Sequence, residues 1–130
     1  MIVLVCPFNS PPLRSNKRLH HMAEHRIKRD IRQAGLTLGA QEVVRRGAVI
    51  GWMTAPITIP VRVRLVWSVP TKHRRDADSA QPTLKAFQDG LVDAGLLAGD
   101  HWEIVRQSYC VIEYSPYEPM SVRVEIEAVI

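Results

Sequence analysis

Ile57-Thr58-Ile59-Pro60-Val61-Arg62-Val63-Arg64-Leu65-Val66-Trp67-Ser68-Val69-Pro70 decides the fold class. Ile59, Val61, Val63, Leu65 and Trp67 share one face of an extended chain and Arg62 and Arg64 the other. That alternation predicts a strand over 57–69, with one packed face and one face that meets solvent or an anion. Pro70 ends it, and a polar loop runs from Thr71 to Gln81. Pro82 then suits the first turn of a helix, because its φ is fixed and it has no N–H to leave unpaired. Leu84, Phe87 and Leu91 fall on one face of that helix, which Gly95 should stop.

Towards the N-terminus, Ile2 to Val5 reads as a short buried strand closed by Cys6-Pro7, and Asn9-Ser10-Pro11-Pro12 excludes helix. From about Leu19 the spacing of Met22, Ile27, Ile31 and Ala34 predicts a long helix. It should continue past Gly35 to about Arg46, although an interior glycine costs about 1 kcal/mol relative to alanine. Towards the C-terminus, 108–115 and 120–129 read as two strands joined by the turn Pro116-Tyr117-Glu118-Pro119, with the look of a hairpin. Val122, Val124 and Ile126 alternate with Arg123, Glu125 and Glu127, as a sheet with one exposed face requires. The order strand, helix, strand, helix, strand, strand predicts an α/β (α+β) chain. It should form a single domain over 1–130, with a mixed sheet and helices packed mainly on one face. Strand order is not specified by these patterns.

The 130 residues carry 17 Lys and Arg against 13 Asp and Glu, a formal charge of +4, which favours polyanionic partners. The cations cluster. Arg14, Lys17, Arg18, Arg26, Lys28, Arg29 and Arg32 crowd one segment and Lys72-His73-Arg74-Arg75 another, suggesting a surface that tracks a phosphate backbone. Cys6 and Cys110 lack any CxxC spacing and are expected reduced and buried. Neither a signal peptide nor a spanning helix is expected, so a soluble cytoplasmic protein without membrane contact follows.

Against this basic background Asp76, Asp78 and Asp100 stand out. Carboxylates inside a positive patch are economically explained by a divalent cation such as Mg²⁺ or Mn²⁺ between them, with neighbouring cations on phosphates. The plainer alternative is that Asp78 caps the helix, Asp76 offsets Arg74 and Arg75, and Asp100 is a turn residue. Lys85 either contacts a scissile phosphate as a point charge or forms an exposed i to i+4 pair with Asp89. His21 and His25 have the spacing of a metal pair but no evident third ligand. Trp52, Trp67, Trp102 and Tyr109 could stack on unpaired bases, with packing the ordinary role, above all for Trp67.

The stretch His73-Arg74-Arg75-Asp76-Ala77-Asp78, then Lys85 and Asp89, then Asp93-Ala94-Gly95 and Asp100, resembles the RusA family of phage and bacterial Holliday junction resolvases. Pro11-Pro12, Asn16, Arg18 and His20 extend the resemblance to the N-terminal block. Ser79 stands where the family usually has Asn, and Pro82 lies in a slightly longer interval before the lysine. The resemblance implies a homodimeric, structure-selective endodeoxyribonuclease that cuts four-way DNA junctions in recombination, repair or phage DNA processing, with Mg²⁺ or Mn²⁺. It implies metal-binding roles for Asp76, Asp78 and Asp100 and a catalytic role for Lys85. DNA contacts would come from Asn16, Lys17, Arg18, His20, Lys72, Arg74 and Arg75. The competing expectations are an inactive junction- or duplex-binding module, or a small protein whose basic helix docks an acidic partner.

Overall fold

A computed structural model describes residues 1–48 and 55–129. Four strands, β1 (Ile2–Val5), β2 (Val61–Val69), β3 (Val105–Tyr114) and β4 (Ser121–Ala128), accompany two helices, α1 (His21–Ala48) and α2 (Gln81–Asp93). The sheet is mixed, in the order β1-β4-β2-β3. β4 is antiparallel to both β1 and β2, whereas β2 and β3 are parallel.

The hairpin expected of the last two strands does not form, because β2 lies between them. β2 is buried along most of its length, so it needs hydrogen-bonding partners at both edges. β3 takes one edge in parallel, which requires a crossover connection, and the segment containing α2 is that crossover. β4 takes the other edge. The strand expected over 57–69 is also shorter than the alternation suggests. Pro60 cannot donate to a ladder, so β2 begins at Val61; Ile59 is 39% exposed and Ile57 makes only an isolated bridge to Leu97.

The alternation within β2 and β4 does sort their faces. Val63, Leu65, Trp67, Val122, Val124 and Ile126 join Leu84, Phe87 and Leu91 of α2 and Ile31 of α1 in one core. On the opposite face Arg62 pairs with Glu127 at 3.3 Å and Arg64 with Glu125, each across the β2/β4 register. Arg123 adds bonds of 2.9 Å to Glu113 and Glu125, so the arginines of this face meet carboxylates of their own sheet.

α1 continues through Gly35, and the glycine has a purpose there. A methyl group at Gly35 would lie 2.3 Å from the Phe87 carbonyl oxygen, and one at Gly90 would lie 2.1 Å from the Arg32 carbonyl oxygen. The two helices cross backbone to backbone at this pair, and Arg32 clamps the crossing with bonds of 2.5 and 2.9 Å to Asp93. α2 ends as Gly95 predicts. Its φ of +78° lets the Gly95 N–H reach the Val92 carbonyl at 3.0 Å and the Leu96 N–H reach that of Leu91 at 3.1 Å, a Schellman closure. None of the helices among the described residues is long and apolar enough to cross a membrane.

Candidate functional site

Two stretches seventy positions apart meet at the start of α2. The buried Thr83 hydroxyl accepts from the Leu13 N–H at 3.0 Å and donates to the Leu13 carbonyl at 2.6 Å. The Ser15 N–H donates to the Ser79 carbonyl at 2.9 Å. The basic segment after Pro11-Pro12 is thereby docked against the acidic turn. Arg14 and Arg75, one from each stretch, lie over the ring of Trp67 with guanidinium carbons 5.7 and 5.6 Å from its centroid. Trp67 itself is buried, so its role is to carry this pair and fill the core.

Asp76 is extended and precedes a 3₁₀ turn at Ala77–Ala80. The Ser79 N–H and hydroxyl both donate to the Asp76 carbonyl, at 3.1 and 2.6 Å, which fixes the turn through the backbone and leaves the Asp76 side chain out of it. Asp78 does not cap α2, whose N-cap is Ala80 and carries no side-chain cap bond. Arg75 is spent on the Thr71 hydroxyl and the carbonyls of Thr71 and His73 rather than on Asp76. Asp76 and Asp78 are therefore exposed carboxylates with no ion-pair or side-chain hydrogen-bond partner among the described residues. Burial, with the charge of Asp78 added, pushes the Cys110 thiol up to about 11.

Lys85 is more heavily engaged than an i to i+4 pair. Its ammonium donates to Asp100 at 2.5 Å and to Asp89 at 2.7 Å. The hydrogen bonds to these carboxylates, Asp100 first, hold Lys85 above the usual lysine range, and the bond from Lys85 holds Asp100 below the usual carboxylate range. Asp100 is thus a turn residue by position and an ion-pair partner by contact. All three side chains remain open enough to water for the pairing to be worth only about 0.2–1 kcal/mol per pair.

The other candidates disperse around this centre. Asn16, Lys17 and Arg18 are exposed on the docked segment, and Arg74 is exposed beside the acidic turn. Lys72 lies 5.0 Å from the Tyr114 ring centroid. His20 accepts from the Met22 N–H at 3.2 Å and so helps to cap α1, while its ring stands 4.5 Å from that of His21. Trp102 is 70% exposed with Arg106 over its ring, Tyr109 is half-buried, and Trp52 falls outside the described residues. The sequence pattern does not reveal that one face of α1 is set opposite Lys85. His25, Lys28, Arg29 and Arg32 recur at i, i+3, i+4 and i+7, a spacing that puts them on one stripe, but nothing local says what the stripe faces.

Asp76, Asp78 and Asp100 are not gathered around a common point. Among the described residues no three His, Cys, Asp or Glu side chains stand close enough to hold one metal ion. Asp76 and Asp78 have the donor chemistry of a hard divalent cation. As placed, however, the trio does not fit a shared ion, since Asp100 is held by the lysine ammonium. No protein-family model matches the chain, and no curated protein is significantly similar to it in sequence.

Proposed function

We propose that the protein is a structure-selective endodeoxyribonuclease that cuts four-way DNA junctions, acting as a homodimer in DNA recombination, repair or phage DNA processing. The observation that supports it is the pair of exposed, unpartnered carboxylates, Asp76 and Asp78, on a turn against which the basic segment from Arg14 is docked. A turn of this kind repels phosphate through its carboxylates and attracts it through its neighbours, an arrangement useful where charge is to be managed at a phosphodiester. Hydrolysis there adds water across one P–O ester bond and leaves a phosphomonoester and a hydroxyl. Lys85 is the cation available to the phosphate once it is released from Asp100. Mg²⁺ or Mn²⁺ is the cofactor class proposed, on the donor chemistry of Asp76 and Asp78 alone. A two-fold dimer would present two such turns to a roughly two-fold junction. A cytoplasmic setting, in a host cell if the chain is phage-encoded, goes with this activity.

A synthetic four-way junction and a matched linear duplex, incubated with the protein in Mg²⁺, Mn²⁺ or EDTA and resolved on a denaturing gel, test the proposal. Paired nicks in the junction alone, abolished by EDTA and by Asp76→Asn or Asp78→Asn in folded protein, are expected. Cleavage that survives Asp76→Asn and Asp78→Asn would refute the site. A second reading, a junction- or duplex-binding module without activity, is favoured by the Lys85–Asp100 bond and by Ser79, whose hydroxyl is committed to the turn. It predicts salt-sensitive binding with no product under any metal.

A further inference from the structure

We infer that the cleft between α1 and α2 is a binding groove for one sugar–phosphate strand of a nucleic acid, entering past Arg14 and ending at Lys85. The inference rests on the nucleic-acid reading above and gives it a path. The cleft has a volume of about 600 Å³ and is walled on the α1 side by His25, Lys28, Arg29 and Arg32. Lys85 and Asp89 of α2 form the other wall, and Pro82 and Ala86 give it an apolar strip on which sugars or bases can rest. Pro82 also borders a neighbouring cavity of about 290 Å³ that holds Arg14, Lys17 and Arg18. The two cavities share that proline, so the cations of the docked N-terminal segment continue into those of α1.

The charges are not all equally available. Arg32 is committed to Asp93, Lys28 stands 3.5 Å from Glu24, and Lys85 satisfies Asp89 and Asp100. Arg29 has no carboxylate partner among the described residues, and the buried Nε of Arg14 has no hydrogen-bond acceptor. Arg29 is exposed, so its guanidinium is open to an anion, whereas Arg14 lies over the Trp67 ring with its Nε shut off from water. The stripe from His25 to Arg32 spans about 10 Å of helix at 1.5 Å per residue, long enough to face successive phosphates of one strand. A duplex is wider than a cleft between helices that touch at Gly35 and Gly90, whereas a single strand lies along it. The strand is therefore the occupant. An acidic peptide offers carboxylates without the regular phosphate spacing or the planar bases.

The test is fluorescence anisotropy of a labelled single strand of about twelve nucleotides, a length within the usual single-strand site sizes, titrated with the full chain in EDTA over a range of salt. Arg29→Glu should weaken binding by about tenfold and reduce the slope of log affinity against log salt by about 0.7 for each phosphate that is no longer neutralised. Arg106→Glu, which changes net charge equally but lies outside both cavities, should weaken it by less than about threefold. Equal effects of the two substitutions, or no effect of Arg29→Glu, would overturn the groove. So would displacement of the strand by poly-glutamate at matched charge. EDTA separates the groove from the chemistry. A groove that holds with no cleavage in Mg²⁺ or Mn²⁺ refutes only the nuclease, and cleavage with Arg29→Glu binding unchanged refutes only the groove.

Discussion

Replacing Gly90 by alanine sets helix propensity against the helix crossing, and the structure says which wins. Inside α2 an alanine is favoured over glycine by about 1 kcal/mol. The new methyl would lie 2.1 Å from the Arg32 carbonyl oxygen, 2.7 Å from the Leu36 nitrogen and 2.9 Å from the Gly35 Cα, all of them backbone atoms. Carbon–oxygen contacts settle near 3.3 Å, so α1 must move away from α2 by roughly 1 Å. A gap of that size forfeits about a quarter to a half of the dispersion attraction of each contact it opens. Overpacking costs about 1–3 kcal/mol even where side chains can adjust, and backbone cannot, so a net loss of about 2 kcal/mol is expected after the propensity gain. Gly47, near the end of α1, is the matched control, because a methyl there meets nothing within 4 Å. Urea unfolding followed by far-UV circular dichroism should show Gly90→Ala less stable and Gly47→Ala slightly more stable than the parent. A Gly90→Ala variant as stable as the parent would refute the crossing. Because the crossing also holds His25, Lys28 and Arg29 opposite Lys85, the same variant should weaken strand binding.

Thr83→Val removes the hydroxyl that serves both the N–H and the carbonyl of Leu13, leaving a buried donor unpaired at a cost of about 1–3 kcal/mol; limited proteolysis should then cut between Leu13 and Leu19 sooner than in the parent. Burial pushes Glu125 up, but the hydrogen bonds from Arg123 and Arg64 outweigh it and leave the carboxyl below its usual range. Its stabilising contribution is therefore full above the ordinary carboxylate range and is lost as pH falls through the depressed folded value. Acid unfolding monitored by tryptophan fluorescence should accordingly flatten in Glu125→Gln, and an unchanged pH profile would count against the ladder Arg64–Glu125–Arg123. Burial pushes the Cys6 thiol up to about 12, and burial with Asp78 pushes Cys110 up to about 11, so neither should react with iodoacetamide in the native protein near neutral pH; rapid alkylation of Cys110 would contradict its environment.

Local periodicity was enough to find β1, the body of α1, the inner face of β2, and α2 with Pro82 at one end and Gly95 at the other, because burial and chain stops recur at fixed spacings along the sequence. The same patterns misjudged the partnership of the last two strands and the start of β2. A strand's pattern records that it is buried, not which strand lies beside it, and one proline at position 60 outweighed two further apolar residues. Gly35 looked like a flaw in a helix until Gly90 was seen against it. Asp76, Asp78, Lys85 and Asp100 could be picked out as chemistry-bearing types, yet only the folded chain brings Lys85 to Asp100, docks Leu13 on Thr83 and turns the α1 stripe towards α2. Sequence alone determined the elements and the inventory of charges, since both are properties of neighbouring residues. The tertiary structure decided which charges face each other, since that depends on crossover and helix crossing, where contacts form between residues that no local period connects.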